Sequence, residues 1–250
     1  MKRLMIAALV TAVSAASAYA QTIRMGTEGA YEPYNFINDK GEVDGFEREL
    51  GDKLCSMAGY ECTWVKNDWD SIIPNLLSGN YDTIMAGMSI TDERKEKIDF
   101  TQDYYPPTAS AYVALADADE SVIEGNVAAQ TSTIQAGYIA ESGATLVEYA
   151  IADETVAAVR NGEADAVFAD KDYLVPLVEA SNGELKFIGE DVPLGGGIGM
   201  GIRKSDTEMK AKFDAAIAQL KADGTVEALI RKWFKPEDGG NLDTALKNWN

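Results

Sequence analysis

The sequence predicts an α/β protein of two domains, because short β-rich runs alternate with helical segments in two separate sets. The first set begins near Ile23 and the second near Asn126. Such alternation favours mostly parallel sheets flanked by helices. Between the sets, Pro106-Pro107 favours an extended crossing, and a glycine-rich stretch at residues 195–201 surrounds a second β-like crossing. Two domains joined by two crossings are therefore expected.

The first set combines β-rich runs with two helical segments. We predict strands at residues 23–26, 62–66 and 83–88, and a helix at residues 70–77. A further helix carries Phe46, Leu50, Leu54 and Met57 on one face and ends at Gly59. Residues 38–41 form a turn between the first strand and this helix.

The second set has the same character, and two helices follow it. A strand at residues 110–115 precedes it. The predicted strands of the set lie at residues 126–129, 146–149, 166–168 and 186–188, and its predicted helices at residues 134–141, 154–161 and 173–180. The helices at residues 206–222 and 225–234 close the first domain. The expected division is residues 21–108 and 202–250 for the first lobe and residues 109–201 for the second.

The first twenty residues have the organisation of a secretory signal peptide. Lys2-Arg3 form a basic start, residues 4–13 an apolar stretch, and Ala18-Tyr19-Ala20 a small-x-small cleavage site. We expect cleavage after Ala20 and a mature protein outside the cytoplasmic membrane. No later stretch is apolar over a length that spans a bilayer.

The formal net charge of −19 bears on the binding partners. Loss of Lys2 and Arg3 with the signal peptide would leave −21. Nucleic acid and anionic lipid would repel such a chain, so neither is expected as a partner. The charge suits a freely diffusing protein and gives a weak bias toward cationic ligands.

Cysteine and histidine usage excludes several kinds of chemistry. Cys55 and Cys62 are the two cysteines, and pairing in an oxidising compartment would connect the end of a helix to the next strand across Gly59. The sequence contains no histidine. A zinc site is therefore poorly supported, and Ser-His and Cys-His nucleophile pairs are excluded. We expect no metal and no cofactor.

A strand-to-helix junction at residues 82–94 is the first candidate for a binding site. Thr91 is a candidate N-cap, with Asp92 and Glu93 in the first helical turn. At the carboxyl edge of a parallel sheet, such a junction presents N–H groups and the positive end of a helix to small anions. Arg94 adds a planar cation that binds a carboxylate with two hydrogen bonds. The alternative is that Arg94 only begins a solvated charged run.

A second candidate follows the first strand, where Glu28 and Tyr31 occupy the crevice position of an open α/β sheet. Trp69 stands at the start of a later helix. A carboxylate beside aromatic rings suits a cationic group, through ion pairing and cation–π attraction. The alternative is an exposed loop acid and two core aromatic residues.

The second domain offers two further groups. Gln130-Thr131-Ser132-Thr133 follows a strand and precedes a helix, so its hydroxyl and N–H groups either hold an oxyanion or cap the helix. Asp170 ends another strand and either accepts from an ammonium group or acts as a helix N-cap.

Six segments in order carry a family resemblance. They are residues 24–36 (RMGTEGAYEPYNF), 44–47 (DGFE), 89–94 (SITDER), 99–101 (DFT), 222–225 (ADGT) and 232–234 (KWF). Together they resemble the polar amino-acid-binding proteins of ABC transporters, closest to the lysine/arginine/ornithine, histidine, octopine and nopaline binders. The resemblance implies a type II periplasmic binding protein whose two lobes close on one ligand.

The resemblance also implies a role for each candidate residue. Arg94 would bind the α-carboxylate of the ligand, helped by backbone groups at Ser89 and by Thr133 from the other lobe. Asp170, together with Ser89, would bind the α-ammonium group. Glu28 would face the distal group of the ligand, whose stem would lie between Tyr31 and Trp69. Gly87 and Ser132 complete the expected site, and the spacing of Cys55 and Cys62 matches a disulfide of the family.

The chain departs from the family pattern at two places. Ala86-Gly87 stands where relatives often carry hydroxyl residues, so side-chain hydrogen bonds are missing there or replaced by water. Thr131 stands where glycine is usual and narrows the approach to the ligand carboxylate. Both departures bear on which ligand is bound.

The resulting expectation is a monomeric substrate-binding protein that delivers a cationic amino acid (arginine, lysine or ornithine) or a related opine to the permease and ATPase subunits of an ABC importer. A neutral polar amino acid such as glutamine fits if Glu28 only accepts hydrogen bonds. An enzyme of the cyclohexadienyl dehydratase type, with Glu28 or Asp170 as general acid, is the alternative from another class. A receptor sensing domain is a third reading, weakened because no membrane span or signalling module follows.

Overall fold

The computed structural model describes residues 20–237 and 240–249 and shows an α/β fold with two five-stranded sheets and one small three-stranded sheet. The strands of this part are β1 (Gln21–Thr27), β2 (Ala30–Tyr31), β3 (Asn35–Ile37), β4 (Val43–Asp44), β5 (Tyr60–Lys66), β6 (Thr83–Ile84), β7 (Asp99–Tyr105), β8 (Ala109–Leu115), β9 (Asn126–Gln130), β10 (Thr145–Tyr149), β11 (Ala166–Asp170), β12 (Leu185–Pro193) and β13 (Ile198–Ile202). The α-helices are α1 (Phe46–Ala58), α2 (Ile72–Leu77), α3 (Asp92–Lys97), α4 (Ile134–Ser142), α5 (Ala152–Asn161), α6 (Lys171–Ala180), α7 (Thr207–Ala222), α8 (Thr225–Phe234) and α9 (Asn241–Asn248). Short 3₁₀ turns occupy Trp69–Ser71 and Glu120–Glu124.

Each large sheet has one strand that runs against the other four. The first sheet has the order β5-β1-β6-β13-β7, and β13 is antiparallel to both of its neighbours. The second has the order β10-β9-β11-β8-β12, and β8 is antiparallel to both of its neighbours. The other pairings, β1 with β5 and β6 and β9 with β10 and β11, are parallel. The predicted α/β class with mostly parallel sheets is confirmed.

The two reversed strands are the ones that follow the crossings. β8 begins the second sheet directly after the Pro106-Pro107 crossing from β7. β13 returns to the first sheet after residues 194–197, whereas the sequence assigned residues up to 201 to the second lobe. We therefore propose a lobe boundary before Ile198. The helices α7 and α8 pack against α1, and both also contact β7 of the first sheet.

Three local predictions need correction. The strand expected at residues 83–88 ends at Ile84, because the chain leaves the sheet and turns at Gly87 with φ 62°. Residues 85–88 are apolar because the loop itself is buried, and a buried loop and a buried strand have the same residue pattern. Met57 is 39% exposed, so it does not share the buried face of Leu54. Helix α9 was not predicted, although Leu242 and Leu246 are buried at helical spacing.

Other features of the sequence lie as expected. The turn at residues 38–41 closes with an Asn38 N–H bond to Glu42 O at 2.9 Å, and α1 ends at Gly59 in the left-handed conformation. The predicted signal peptide lies outside the described residues, apart from Ala20. Over residues 20–237 and 240–249, every helix is too short or too polar to cross a membrane.

The disulfide between Cys55 and Cys62 is confirmed, with Cα atoms 6.0 Å apart. It connects the last turn of α1 to β5, the outermost strand of the first sheet. The loop that it closes is short, so the bond restricts the unfolded chain only moderately.

We predict that the double substitution Cys55→Ala/Cys62→Ala lowers the free energy of unfolding by about 2–3 kcal/mol, because the unfolded chain regains the entropy of the closed loop. For a chain of this size, the melting temperature should fall by roughly 5–10 °C. Thermal unfolding followed by circular dichroism checks this, and a reducing agent should have no effect on the variant. The contradicting result would be wild-type protein that melts at the same temperature before and after reduction, when a thiol titration shows that both cysteines have been reduced.

Candidate functional site

The carboxyl ends of the central strands of both sheets meet at one crevice between the lobes. Glu28 follows β1, Gly87 lies in the loop after β6, Gln130 ends β9 and Asp170 ends β11. Central parallel strands bring their following loops to the same edge, where open α/β sheets bind ligands. The lobes are closed on each other here, and the crevice leaves a cavity of only about 20 Å³. Its lining residues are Glu28, Tyr31, Trp69, Ala86, Gly87, Ser89, Arg94, Gln130, Thr133, Ile134, Gln135 and Asp170.

The crevice brings together all but one of the residues that the sequence proposed for binding. The exception is Ser132, whose side chain is exposed at the outer edge. Its backbone has φ 58°, and its carbonyl oxygen accepts a long hydrogen bond of 3.5 Å from Nη2 of Arg94. Ser132 therefore contacts the site through its backbone.

Arg94 lies in α3 at the inner end of the crevice and is only 9% exposed. Thr91 is the N-cap of this helix, because its hydroxyl accepts from the Arg94 N–H at 3.2 Å. Nη1 of Arg94 donates to the Ser89 carbonyl at 2.8 Å, and the guanidinium lies 5.3 Å from the Trp69 ring centre. Burial lowers the pKa of Arg94 to about 10, so the group stays charged at neutral pH. A buried cation that donates mainly to neutral carbonyl groups is suited to an anionic partner.

Asp170 faces the crevice and does not cap α6, since its side chain accepts no cap hydrogen bond. Its Oδ2 accepts from the Tyr31 hydroxyl at 2.7 Å, and its Oδ1 accepts from Nε2 of Gln135 at 2.8 Å. Burial raises the pKa of Asp170 to about 6. A carboxylate in this environment gains from a cationic neighbour.

Glu28 is the second carboxylate of the crevice and is buried, with 5% exposed. Its Oε1 accepts from Nε2 of Gln130, on the other lobe, at 2.6 Å. Burial raises the pKa of Glu28 to about 7, and the charge of Asp68 adds to the rise, while the hydrogen bond from Gln130 opposes it. Glu28 is therefore a buried acid that is partly protonated near neutral pH.

The aromatic residues are arranged differently from a simple pair around a ligand stem. Tyr31 stacks on Tyr173 of the other lobe, with ring centres 4.3 Å apart and planes 13° apart, and on Tyr34 at 5.5 Å. The Tyr173 hydroxyl donates to Asp153 at 2.8 Å. Trp69 packs beside the Arg94 guanidinium. The sandwich of the ligand between Tyr31 and Trp69 remains a prediction.

Thr133 is the N-cap of α4, which is one of the two roles that the sequence predicts for residues 130–133. Its hydroxyl donates to the Gln130 carbonyl at 2.6 Å and accepts from the Ala136 N–H at 3.1 Å. Gln135 lies in the first turn of α4, and its side chain points toward Asp170. Its Nε2 donates to Oδ1 of Asp170 and also to the Ser110 hydroxyl, the latter at 3.0 Å.

Sequence reasoning missed Ile134 and Gln135 as lining residues, and it named Gln130 only as the first residue of the segment 130–133, without a role for its side chain. The available signal was position, because Gln130 is the last residue of a central strand and Gln135 lies in the first turn of the helix that follows it. Among the described residues, no group of three or more acidic or cysteine side chains is arranged to hold a metal ion.

Comparison with known proteins gives a consistent result. The chain matches the family of bacterial extracellular solute-binding proteins, family 3, over residues 23–236. It is 32% identical to the histidine-binding periplasmic protein and 31% identical to the lysine/arginine/ornithine-binding periplasmic protein, both of Escherichia coli K12, over 92% of this chain and 94% of each relative.

A solved structure provides a closer comparison. A periplasmic His/Glu/Gln/Arg/opine family-binding protein from Silicibacter pomeroyi, crystallised in complex with lysine, is 74% identical and superposes with a TM-score of 0.83. The match covers 85% of this chain and 96% of that one. With its family match over most of the chain, this protein belongs to the bacterial extracellular solute-binding proteins, family 3.

Proposed function

We propose that this protein binds a cationic α-amino acid, with lysine as the first candidate, and delivers it to an ABC importer. The observation that carries the proposal is the set of charged groups in the crevice, namely Arg94 and Glu28, which are buried, and Asp170, which is partly buried. When all three are ionised, their net charge is −1. Lysine, with one carboxylate and two ammonium groups, carries the opposite charge. The Silicibacter pomeroyi structure, solved with lysine, supports the same choice.

The three groups match the three charges of the ligand. Arg94 binds the α-carboxylate with its guanidinium, together with backbone groups at Ser89 and Thr133. Asp170 binds the α-ammonium group, and Glu28 binds the distal ammonium group. A ligand with a neutral side chain would leave the ionised Glu28 without a cation, or it would require Glu28 to remain protonated. Either outcome reduces the affinity for that ligand.

The ligand would also hold the two lobes together. Arg94 and Glu28 belong to the first lobe, whereas Asp170 and Thr133 belong to the second. A ligand that contacts both sets binds the closed arrangement more tightly than an open one, and only this difference shifts the population toward closure. A permease that recognises the closed form would then select loaded protein.

The transport role includes several further proposals. The protein acts as a monomer in the periplasm after cleavage behind Ala20, and it meets the permease and ATPase subunits of its importer there. It carries out no chemistry on the ligand. Family membership and the amino-acid-binding relatives support this role.

We predict that the mature protein begins at Gln21. N-terminal sequencing of protein released by osmotic shock measures this, and a protein that begins at Met1 would contradict the proposed cleavage.

An enzymatic function has one observation in its favour, since a buried carboxyl group with a pKa near 7, such as Glu28, is suited to act as a general acid. The test is incubation of purified protein with prephenate and arogenate. We expect no turnover above the level of a Glu28→Gln control, and turnover that depends on Glu28 would replace the binding function with a dehydratase function.

We predict that Arg94→Ala weakens lysine binding by roughly a hundredfold to several thousandfold, because removal of one partner of a buried charged pair costs about 3–5 kcal/mol. The measurement is isothermal titration calorimetry on mature protein that has been refolded to remove bound ligand. Lys95→Ala is the matched control, because it removes a neighbouring exposed cation that pairs with Asp92 on the same helix. Near-normal affinity of the Arg94 variant would contradict the proposed site.

We also predict that lysine binding releases protons near neutral pH. The pKa of Glu28 lies at about 7 without a cationic partner, and an ammonium group beside it would lower that pKa. At pH 7 the release should therefore be about half a proton, and it should disappear above about pH 8.5, where Glu28 is already ionised. For the same reason, lysine affinity should fall as the pH drops below 7.

Calorimetry in buffers of different ionisation enthalpy measures this release. Norleucine, which lacks the distal ammonium group, provides the matched ligand control and should release far less than lysine at pH 7. Lysine binding without proton release at pH 7, or equal release with both ligands, would contradict the role of Glu28 as the cation partner.

A further inference from the structure

We infer that Glu47 is a positioning residue, whose buried carboxylate fixes the two first-lobe loops that carry the binding residues Glu28, Tyr31 and Ser89. This inference rests on the proposed function and deepens it, because it assigns the geometry of the site to a side chain that lies outside the crevice lining. Glu47 is the second residue of α1 and is 0% exposed.

Three donors converge on the Glu47 carboxylate. Oε1 accepts from the Gly87 N–H at 2.7 Å and from the Tyr104 hydroxyl, and Oε2 accepts from Nδ2 of Asn35 at 2.7 Å. Asn35 extends the network, since its Oδ1 accepts from the Gly29 N–H at 2.7 Å. One carboxylate therefore holds Gly87 directly and Gly29 through a single amide.

The two glycines are the turning points of the binding loops. Gly29 follows Glu28 and precedes the strand that contains Tyr31, and Gly87 lies two residues before Ser89. Both have left-handed backbones, with φ 71° for Gly29 and φ 62° for Gly87, a conformation that glycine adopts at low cost. A Cβ at Gly87 would also lie 3.4 Å from the Tyr31 ring, so the two loops pack closely.

The chemistry of the network requires an acceptor at position 47. An ionised carboxylate only accepts hydrogen bonds, and here every contact comes from a donor. Burial raises the pKa of Glu47, whereas the hydrogen bonds from Tyr104, Gly87 and Asn35 oppose that rise. A glutamine at this position would turn its own NH₂ group toward at least one of these donors. The loop that loses its acceptor would then shift, and the binding groups on it would move with it.

The experiment compares Glu47→Gln with Tyr104→Phe. In Glu47→Gln, the new NH₂ group faces the N–H group of Gly87 or the NH₂ group of Asn35, and each of these donors belongs to the hydrogen bonds that hold a binding loop. In Tyr104→Phe, the donor that is lost lies on β7, which carries no residue of the crevice lining. We expect Glu47→Gln to weaken lysine binding by about tenfold or more, from the cost of one unsatisfied buried group. Tyr104→Phe should leave the affinity within about threefold of wild type, although it lowers the melting temperature.

Affinity and stability together separate positioning from a purely structural role. Titrations are made at 20 °C, where circular dichroism shows each variant to be folded. Similar losses of melting temperature in both variants, with a loss of affinity only in Glu47→Gln, are the expected result. Wild-type affinity in a folded Glu47→Gln protein, or equal losses of affinity in the two variants, would overturn the inference.

Hydrogen exchange of ligand-free wild-type protein tests the same network without a variant or a ligand. The Gly29 and Gly87 amides should exchange about a hundredfold or more slowly than in an unstructured peptide, because each donates to a buried acceptor. Exchange near the unstructured rate would overturn the inference even if Glu47→Gln fails to fold. If wild-type protein does not bind lysine, the proposed function fails while this exchange measurement still decides the role of Glu47.

Discussion

Three charged side chains are withdrawn from water in one crevice: Arg94 and Glu28 are buried and Asp170 is partly buried. Isolated charges are costly in a protein interior, so each must meet donors, acceptors or an opposite charge. The protein meets this need only in part. Arg94 donates to carbonyl groups, Asp170 accepts from Tyr31 and Gln135, and Glu28 accepts from Gln130. The raised pKa values of both acids show the remaining cost, and a ligand with matching charges would remove it.

The same groups also connect the lobes. The bond from Tyr31 to Asp170, the bond from Gln130 to Glu28 and the stacking of Tyr31 on Tyr173 all run between the first and second lobes. The side chains proposed to bind the ligand are therefore the side chains that face each other on closure. In the proposed binding mode, ligand binding and lobe closure would therefore depend on one set of interactions.

Sequence reasoning predicted the fold class from the alternation of strands and helices, and it placed Glu28, Arg94 and Asp170 each at the end of a strand or at a strand-to-helix junction. The family resemblance, and not the strand pattern, grouped these residues of two different sheets into one site. Contacts that depend on tertiary packing could not be predicted. The end of β6 at Ile84 depends on the turn at Gly87, and the stacking of Tyr31 on Tyr173 joins residues far apart in sequence. Glu47 looked like an ordinary residue at a helix start, and only the structure shows the donors around it.

In the proposed function, Glu28 makes the crevice selective for a cationic side chain. The ratio of the dissociation constants of refolded mature protein for norleucine and for lysine at pH 8, where Glu28 is ionised, measures this selectivity. The two ligands have the same backbone and stem, and only lysine carries the distal ammonium group. Lysine is expected to bind at least about a hundredfold more tightly than norleucine, because norleucine leaves the buried charge of Glu28 without a partner. Equal affinity for both ligands would contradict it.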